Sequence, residues 1–167
     1  MPGRRVYWVD AALRGRLAVV PRPRCATHVL ALKVAGVDTL VSLLAPDEAA
    51  DVGLADEAEW CASAGMSFRH LPIVDHGVPS DFRLIEDAMP DLADDLRAGR
   101  GVAAHCYAGL GRSPLLVASI LIHHGWTDAD AIAAVSAARG CPVPEMEAQH
   151  RWLLAFARRQ PRDAAAQ

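Results

Sequence analysis

The stretch Val102 to Leu121, VAAHCYAGLGRSPLLVASIL, constrains this chain more than any other. An apolar β-type run leads into His105 and Cys106, a loop with two glycines follows, and Pro114 opens a segment that is apolar on nearly every face. A run of that composition reads as a buried strand, and a helix apolar all round must be central. Pro114 suits the first helical turn, where its missing N–H costs nothing. The helix therefore starts beside Arg112 and Ser113, and the loop sits on its N-terminus.

Elsewhere, short β-type runs alternate with helical periodicity. Val6 to Val9, Leu17 to Val20, Thr39 to Leu43, Phe68 to Ile73 and Gly101 to His105 read as strands. Thr27 to Ala35, Ala49 to Ala64 and Ser80 to Ala98 read as helices between them, and Pro90 is expected to kink or restart the last. After the fifth strand come Ser113 to His124, Asp128 to Arg139 and Glu145 to Arg159, punctuated by Gly125 and Gly140 as C-terminal caps. This order predicts one α/β domain over residues 1–161, a central, mainly parallel sheet of about five strands with helices on both faces. Arg162 to Gln167 reads as a frayed tail.

The 167 residues are 52% hydrophobic and 22% charged, which supports a packed core and excludes a disordered chain. A formal charge of −3 gives no field that would favour nucleic acid or an anionic membrane as partner. The longest apolar run is too short to span a bilayer, and Asp10, Arg14 and Arg16 interrupt what would have to be an export signal. Cys25, Cys61, Cys106 and Cys141 form no CxxC pair, so free thiols in a reducing cytoplasm are expected, with Cys25, Cys61 and Cys141 in the core or one of them placed to protect oxidised Cys106 as a disulfide. Arg4, Arg5, Arg14, Arg16, Arg22 and Arg24 read as a solvated basic face, and the acidic run from Asp47 to Glu59 as the polar side of a helix.

A loop at a helix N-terminus with the residues Tyr107, Ala108, Gly109, Leu110 and Gly111 is built to hold an anion. Its N–H groups can turn inward as a nest, Gly109 and Gly111 permit the tight concave turn, and the helix dipole adds partial positive charge. At its floor the sulfur of Cys106 would feel those N–H groups, the dipole and Arg112, all favouring thiolate over thiol. The planar fork of Arg112 can grip two oxygens of a tetrahedral anion, which lysine cannot. Ser113 adds a hydroxyl near the sulfur, and His105 is expected to hydrogen-bond a loop carbonyl and hold the cradle in shape.

His105-Cys106-Tyr107-Ala108-Gly109-Leu110-Gly111-Arg112-Ser113 matches HCxxGxxRS and resembles the signature of the cysteine-dependent protein tyrosine phosphatases, dual-specificity branch. The likeness runs from about Leu17 to Phe156 and is greatest to the kinase-associated phosphatase subgroup. Leu71 to Pro79 resembles the family's acid loop, with His76 departing from the small residue expected there, and Ala131 to Leu154 its C-terminal helices. The resemblance implies hydrolysis of phosphotyrosine, with phosphoserine and phosphothreonine as further substrates, on a protein or peptide, with no metal or cofactor. Cys106 would attack phosphorus, and Asp75, on a loop after a strand, would protonate the leaving oxygen and later activate water. Asp81 is the reserve acid, although its place near a helix start suits a cap.

Gln149 falls on a buried helix face; it either places water at the site, as the resemblance suggests, or satisfies core backbone. A phosphoprotein-binding module without efficient turnover and a rhodanese-like sulfurtransferase are the alternatives. The HCxxGxxRS identities and the presence of an acid disfavour both.

Overall fold

A computed structural model describes residues 5–161. The strands β1 (Tyr7–Trp8), β2 (Arg16–Val19), β3 (Thr39–Ser42), β4 (Ser67–His70) and β5 (Gly101–His105) form one sheet in the order β1-β2-β5-β3-β4. Only the β1–β2 pair is antiparallel. The small residues Gly101, Ala103 and Ala104 let β5 lie at the centre, buried at every position, and the parallel crossovers put helices on both faces as expected.

The helices are α1 (Ala26–Val34), α2 (Pro46–Asp51), α3 (Glu57–Ser63), α4 (Arg83–Glu86), α5 (Met89–Arg97), α6 (Arg112–His123), α7 (Asp128–Arg139) and α8 (Glu147–Arg159). On one face Val19, Val41, Val102 and Ala104 pack in the larger core with Leu115, Ile120 and Leu121 of α6 and Leu153 and Phe156 of α8. On the other, Ala18, Leu40 and Ala103 meet Val29 and Leu32 of α1 and Cys61 of α3. From Arg112 to Ile122 every residue of α6 is buried, as a helix apolar all round requires.

Two expected helices are each divided. Ala49 to Ala64 is α2 and α3, parted where Gly53 takes φ +76° and the amides of Gly53 and Leu54 return to the carbonyls of Ala50 and Ala49, a helix-ending motif. Ser80 to Ala98 is α4 and α5, with Pro90 in the first turn of the second, the restart its geometry invites. The expected tail, Arg162 to Gln167, lies outside the described residues, as does Arg4.

The cysteines correct another expectation. Cys25 is exposed at the start of α1 and Cys141 is half-buried, so neither is a core thiol. Cys61 is fully buried, and burial together with the nearby charge of Glu57 pushes its thiol up to about 12. It lies on the opposite face of the sheet from Cys106 and is not placed to bridge it. Iodoacetamide at pH 8, followed by peptide mass spectrometry, is therefore expected to label Cys25 in the folded protein and Cys61 only after denaturation. Labelling of Cys61 at the rate of Cys25 would refute this packing.

Candidate active site

The end of β5 and the start of α6 are joined by the loop that the sequence singled out, and a pocket opens over it. Asp75, His76, Cys106, Arg112 and Gln149 all line that pocket, so three segments distant in sequence meet there. Cys106 is 3% exposed, and its Sγ lies 3.2 Å from Ser113 Oγ in the first turn of α6. His105 Nδ1 lies 3.2 Å from the Cys106 carbonyl, the loop contact expected of it.

The loop carbonyls are tied down on the outside. Arg139 of α7 donates from Nε to Gly109 O at 3.0 Å and from Nη2 to Ala108 O at 3.3 Å. The Glu145 amide donates to Leu110 O at 2.8 Å, and Arg22 Nη1 to Tyr107 O at 3.3 Å. A chain whose carbonyls are held outward is free to present its N–H groups inward, which is what an anion nest needs. The half-exposed ring of Tyr107 lies under the Arg22 guanidinium at 4.0 Å. Arg22 therefore belongs to the site and not to a solvated basic face.

The two glycines serve different ends. Gly109 takes φ +73°, as a tight turn demands. Gly111 has φ −125°, open to any residue, but a Cβ there would sit 2.9 Å from Gln149 Nε2 and 3.1 Å from Gln149 Oε1. Gln149 is fully buried, donates to Gly77 O at 3.0 Å and accepts from the Met146 amide at 3.2 Å. Gln149 thus satisfies backbone, one of the two readings, and also borders the pocket.

Arg112 is 2% exposed and engaged on two sides. Nη1 and Nη2 meet Glu48 Oε2 and Oε1 at 2.7 and 2.9 Å, Nη1 also donates to Ile73 O at 2.9 Å, and Nη2 to Asp75 Oδ1 at 3.0 Å. Burial opposes its charge, but the hydrogen bond to Glu48 and the negative charges of Cys106, Glu48 and Asp75 outweigh that and hold its pKa above the ordinary value. The same hydrogen bond keeps the Glu48 carboxyl below the usual carboxylate range, with burial opposing.

Asp75 is exposed and also accepts the His76 amide at 2.9 Å. His76, which departs from the small residue that the resemblance implies, has φ +59°, a backbone state that L side chains adopt at a cost. Asp81 accepts the Arg83 amide at 3.0 Å in a local turn ahead of α4 and is not among the residues that line the pocket.

The acidic run is the main surprise. Asp47, Asp51, Asp56 and Glu59 are exposed as expected, but Glu48 clamps Arg112, and Glu57, 2% exposed, lies 2.7 Å from His105 Nε2. Glu57 sits on the inner face of α3, but nothing distinguishes either glutamate within a run of acids. Arg22 and Arg139 likewise carry no local signal, because their partners lie 85 and 30 residues away.

A family model described as "Tc-R-P: Polymorphic toxin system, DSP-PTPase phosphatase" matches residues 22–126. Among curated proteins, cyclin-dependent kinase inhibitor 3 of Rattus norvegicus is 41% identical over 59 residues, 35% of this chain and 27% of that protein. Protein tyrosine phosphatase domain-containing protein 1 of Mus musculus is 35% identical over 95 residues, 52% of this chain and 12% of that protein. The matches thus span only a minor part of these relatives. A crystal structure of kinase associated phosphatase with its catalytic cysteine changed to serine superposes with a TM-score of 0.85 at 22% identity, over 93% of this chain and 95% of that one. Tk-PTP in its active form gives 0.77 at 23% identity, over 95% and 98%. At these identities the likeness shows the fold.

Proposed function

Since this chain belongs to the DSP-PTPase phosphatases of polymorphic toxin systems, we propose that it hydrolyses phosphate monoesters on proteins or peptides through a phosphocysteine on Cys106. The observation that carries the reading is the position of the Cys106 sulfur. It sits at the N-terminus of α6 beside Ser113 Oγ, in one pocket with Arg112 and Asp75. Phosphotyrosine is the proposed first substrate, with phosphoserine and phosphothreonine as further ones. The free thiols suit a reducing cytoplasm, and among the described residues no helix is long and apolar enough to cross a membrane.

The donors of Arg112 suggest how binding and chemistry are linked. A guanidinium has five N–H groups, and four are used: two on Glu48, one on Ile73 O and one on Asp75. The remaining Nε–H and the Nη2–H now held by Asp75 form the second fork of the same plane. A phosphate bound there takes both, displaces Asp75 and frees its carboxyl to approach the leaving oxygen. Glu48 and Ile73 keep the guanidinium plane fixed meanwhile. The thiolate then attacks phosphorus as Asp75 gives its proton to the departing oxygen. Water hydrolyses the phosphocysteine with Asp75 now taking a proton, and Gln149, at the rim, helps to place that water. Loop amides and Arg112 stabilise the charge on the three equatorial oxygens in both steps.

The test is hydrolysis of p-nitrophenyl phosphate in the presence of a chelator, with vanadate as inhibitor, against pH. Asp75→Asn is expected to lower kcat about a hundredfold and to remove the alkaline fall of the profile, because that fall reports loss of the acid's proton. A variant as active as the wild type, with the same alkaline limb, would assign the acid elsewhere. No turnover by the folded wild type, together with retained phosphate binding, would replace the enzyme with a binding module.

A further inference from the structure

Along β5 the side chains alternate between the two faces of the sheet. Ala104 and Cys106 belong to the core that holds α6, and Ala103 to the opposite core that holds α3. His105 therefore points away from the pocket, towards α3, where Glu57 waits. The two side chains are 0% and 2% exposed, Nε2 and Oε1 are 2.7 Å apart, and neither atom has another hydrogen-bond partner among the described residues. The pair is a buried polar contact behind the phosphate loop, and the proposed reaction does not use it directly.

Its hydrogen-bonding logic is specific. The Cys106 carbonyl can only accept, so the contact with His105 Nδ1 at 3.2 Å is attractive only when Nδ1 carries a proton. A neutral ring with its proton there has a lone pair on Nε2, which would repel an ionised carboxylate at 2.7 Å. Both contacts are attractive only when Glu57 and Nε2 share one further proton, as imidazolium with carboxylate or imidazole with carboxylic acid. Either form is neutral overall, and either keeps a hydrogen on Nδ1 aimed at the carbonyl next to the nucleophile.

We propose that Glu57 is a positioning residue for the phosphate loop, acting through His105 to fix the Cys106 carbonyl and so the direction of the sulfur and of the amides that follow it. The proposal rests on Cys106 as the reactive thiol. Towards Cys106 face Ser113 and Arg112, the latter paired with Glu48 and Asp75. Around the Glu57–His105 pair stand the Cys61 thiol on α3, the Ser42 hydroxyl cross-strand on β3, and beyond it His70 on β4, tied to Leu44 O. Among these, Glu57 is the acid within contact of His105.

The test reads the Cys106 thiolate without requiring turnover. Alkylation of Cys106 by iodoacetamide, followed against pH by mass spectrometry of its peptide, is compared for wild type, Glu57→Leu and Glu57→Gln. Leucine fills a similar volume but gives Nε2 no partner, so the thiolate fraction at pH 6 is expected to fall about tenfold, with the acid limb of kcat/KM moving to higher pH in step. Glutamine can donate its amide N–H to Nε2 and leave the proton on Nδ1, so it is expected to restore both readouts to within about threefold of wild type.

Glu57→Leu overlaying the wild-type curve, or Glu57→Gln matching Glu57→Leu, would overturn the proposal. Where Glu57→Leu does not fold alone, it is made in a His105→Asn background, whose amide donates to the Cys106 carbonyl unaided. There it is expected to shift alkylation no further, and an additional tenfold shift would overturn the proposal. Expected alkylation shifts in a protein without turnover would refute the phosphatase reading alone, whereas a working phosphatase insensitive to Glu57→Leu would refute the positioning role alone.

Discussion

Cys106→Ser is expected to remove hydrolysis of p-nitrophenyl phosphate to at least about 10⁴ below wild type, which corresponds to about 5.5 kcal/mol of lost transition-state stabilisation. Sulfur at this position lies 3.2 Å from Ser113 Oγ in the first turn of α6 and near the Arg112 guanidinium, and as a thiol it is far more acidic than an alcohol. A serine hydroxyl ionises so much less readily that the same surroundings cannot make it an anion near neutral pH. The substitution is otherwise mild. It is nearly isosteric, retains a partner for Ser113 Oγ and leaves Arg112 with Glu48 in place. Affinity for a phosphotyrosine peptide, measured by calorimetry, is therefore expected to stay within about threefold while turnover disappears. Turnover within tenfold of wild type would mean that Cys106 is not the nucleophile. Loss of binding in a folded variant would mean that the sulfur, and not the loop, holds the phosphate.

That separation between the reacting atom and its support also marks where the sequence is informative. The strand, the glycine loop and the helix from Val102 to Leu121 are legible because each is set by its own residues. An unbroken run of small and apolar residues defines β5 as a buried strand, Pro114 defines the first turn of α6, and apolar residues on all sides of α6 force it to the centre. That Asp75 stands on a loop after a strand, and Asp81 just ahead of a helix, is legible from local placement alone.

The supporting residues are not legible in this way, since their meaning lies in contacts across the chain. Glu48 and Glu57 look like their exposed neighbours Asp47 and Glu59 until the break at Gly53 turns α2 and α3 to different directions, one towards Arg112 and the other towards His105. The break itself carried a signal, because Gly53 followed by the apolar Leu54 suits a left-handed helix end, whereas periodicity alone runs through it. Arg22 and Arg139 hold loop carbonyls from opposite ends of the sequence, and only the sheet order, with β2 beside β5, brings Arg22 to Tyr107.

Arg112→Lys is expected to cost more than a conservative change of charge suggests. The guanidinium reaches Glu48 with both Nη atoms, Ile73 O with one and Asp75 with the other, and still has Nε–H to offer. An ammonium has three donors on one atom and no plane. It can stay with Glu48, which would otherwise lose its partner, but it cannot hold Glu48 and also present two parallel donors to a phosphate. The charge is kept and the fork is lost. Because the equatorial oxygens gain most from that fork as the phosphoryl group flattens in flight, the loss is expected mainly in kcat, about 10² to 10³, or roughly 3 to 4 kcal/mol. Steady-state kinetics with p-nitrophenyl phosphate read this directly, and thermal unfolding on the same sample checks that Lys at 112 has kept the Glu48 pair. A rise confined to KM would show that Arg112 acts on ground-state binding alone. A kcat within threefold of wild type would show that charge suffices and that the planar geometry set up by Glu48 and Ile73 has no part in the reaction.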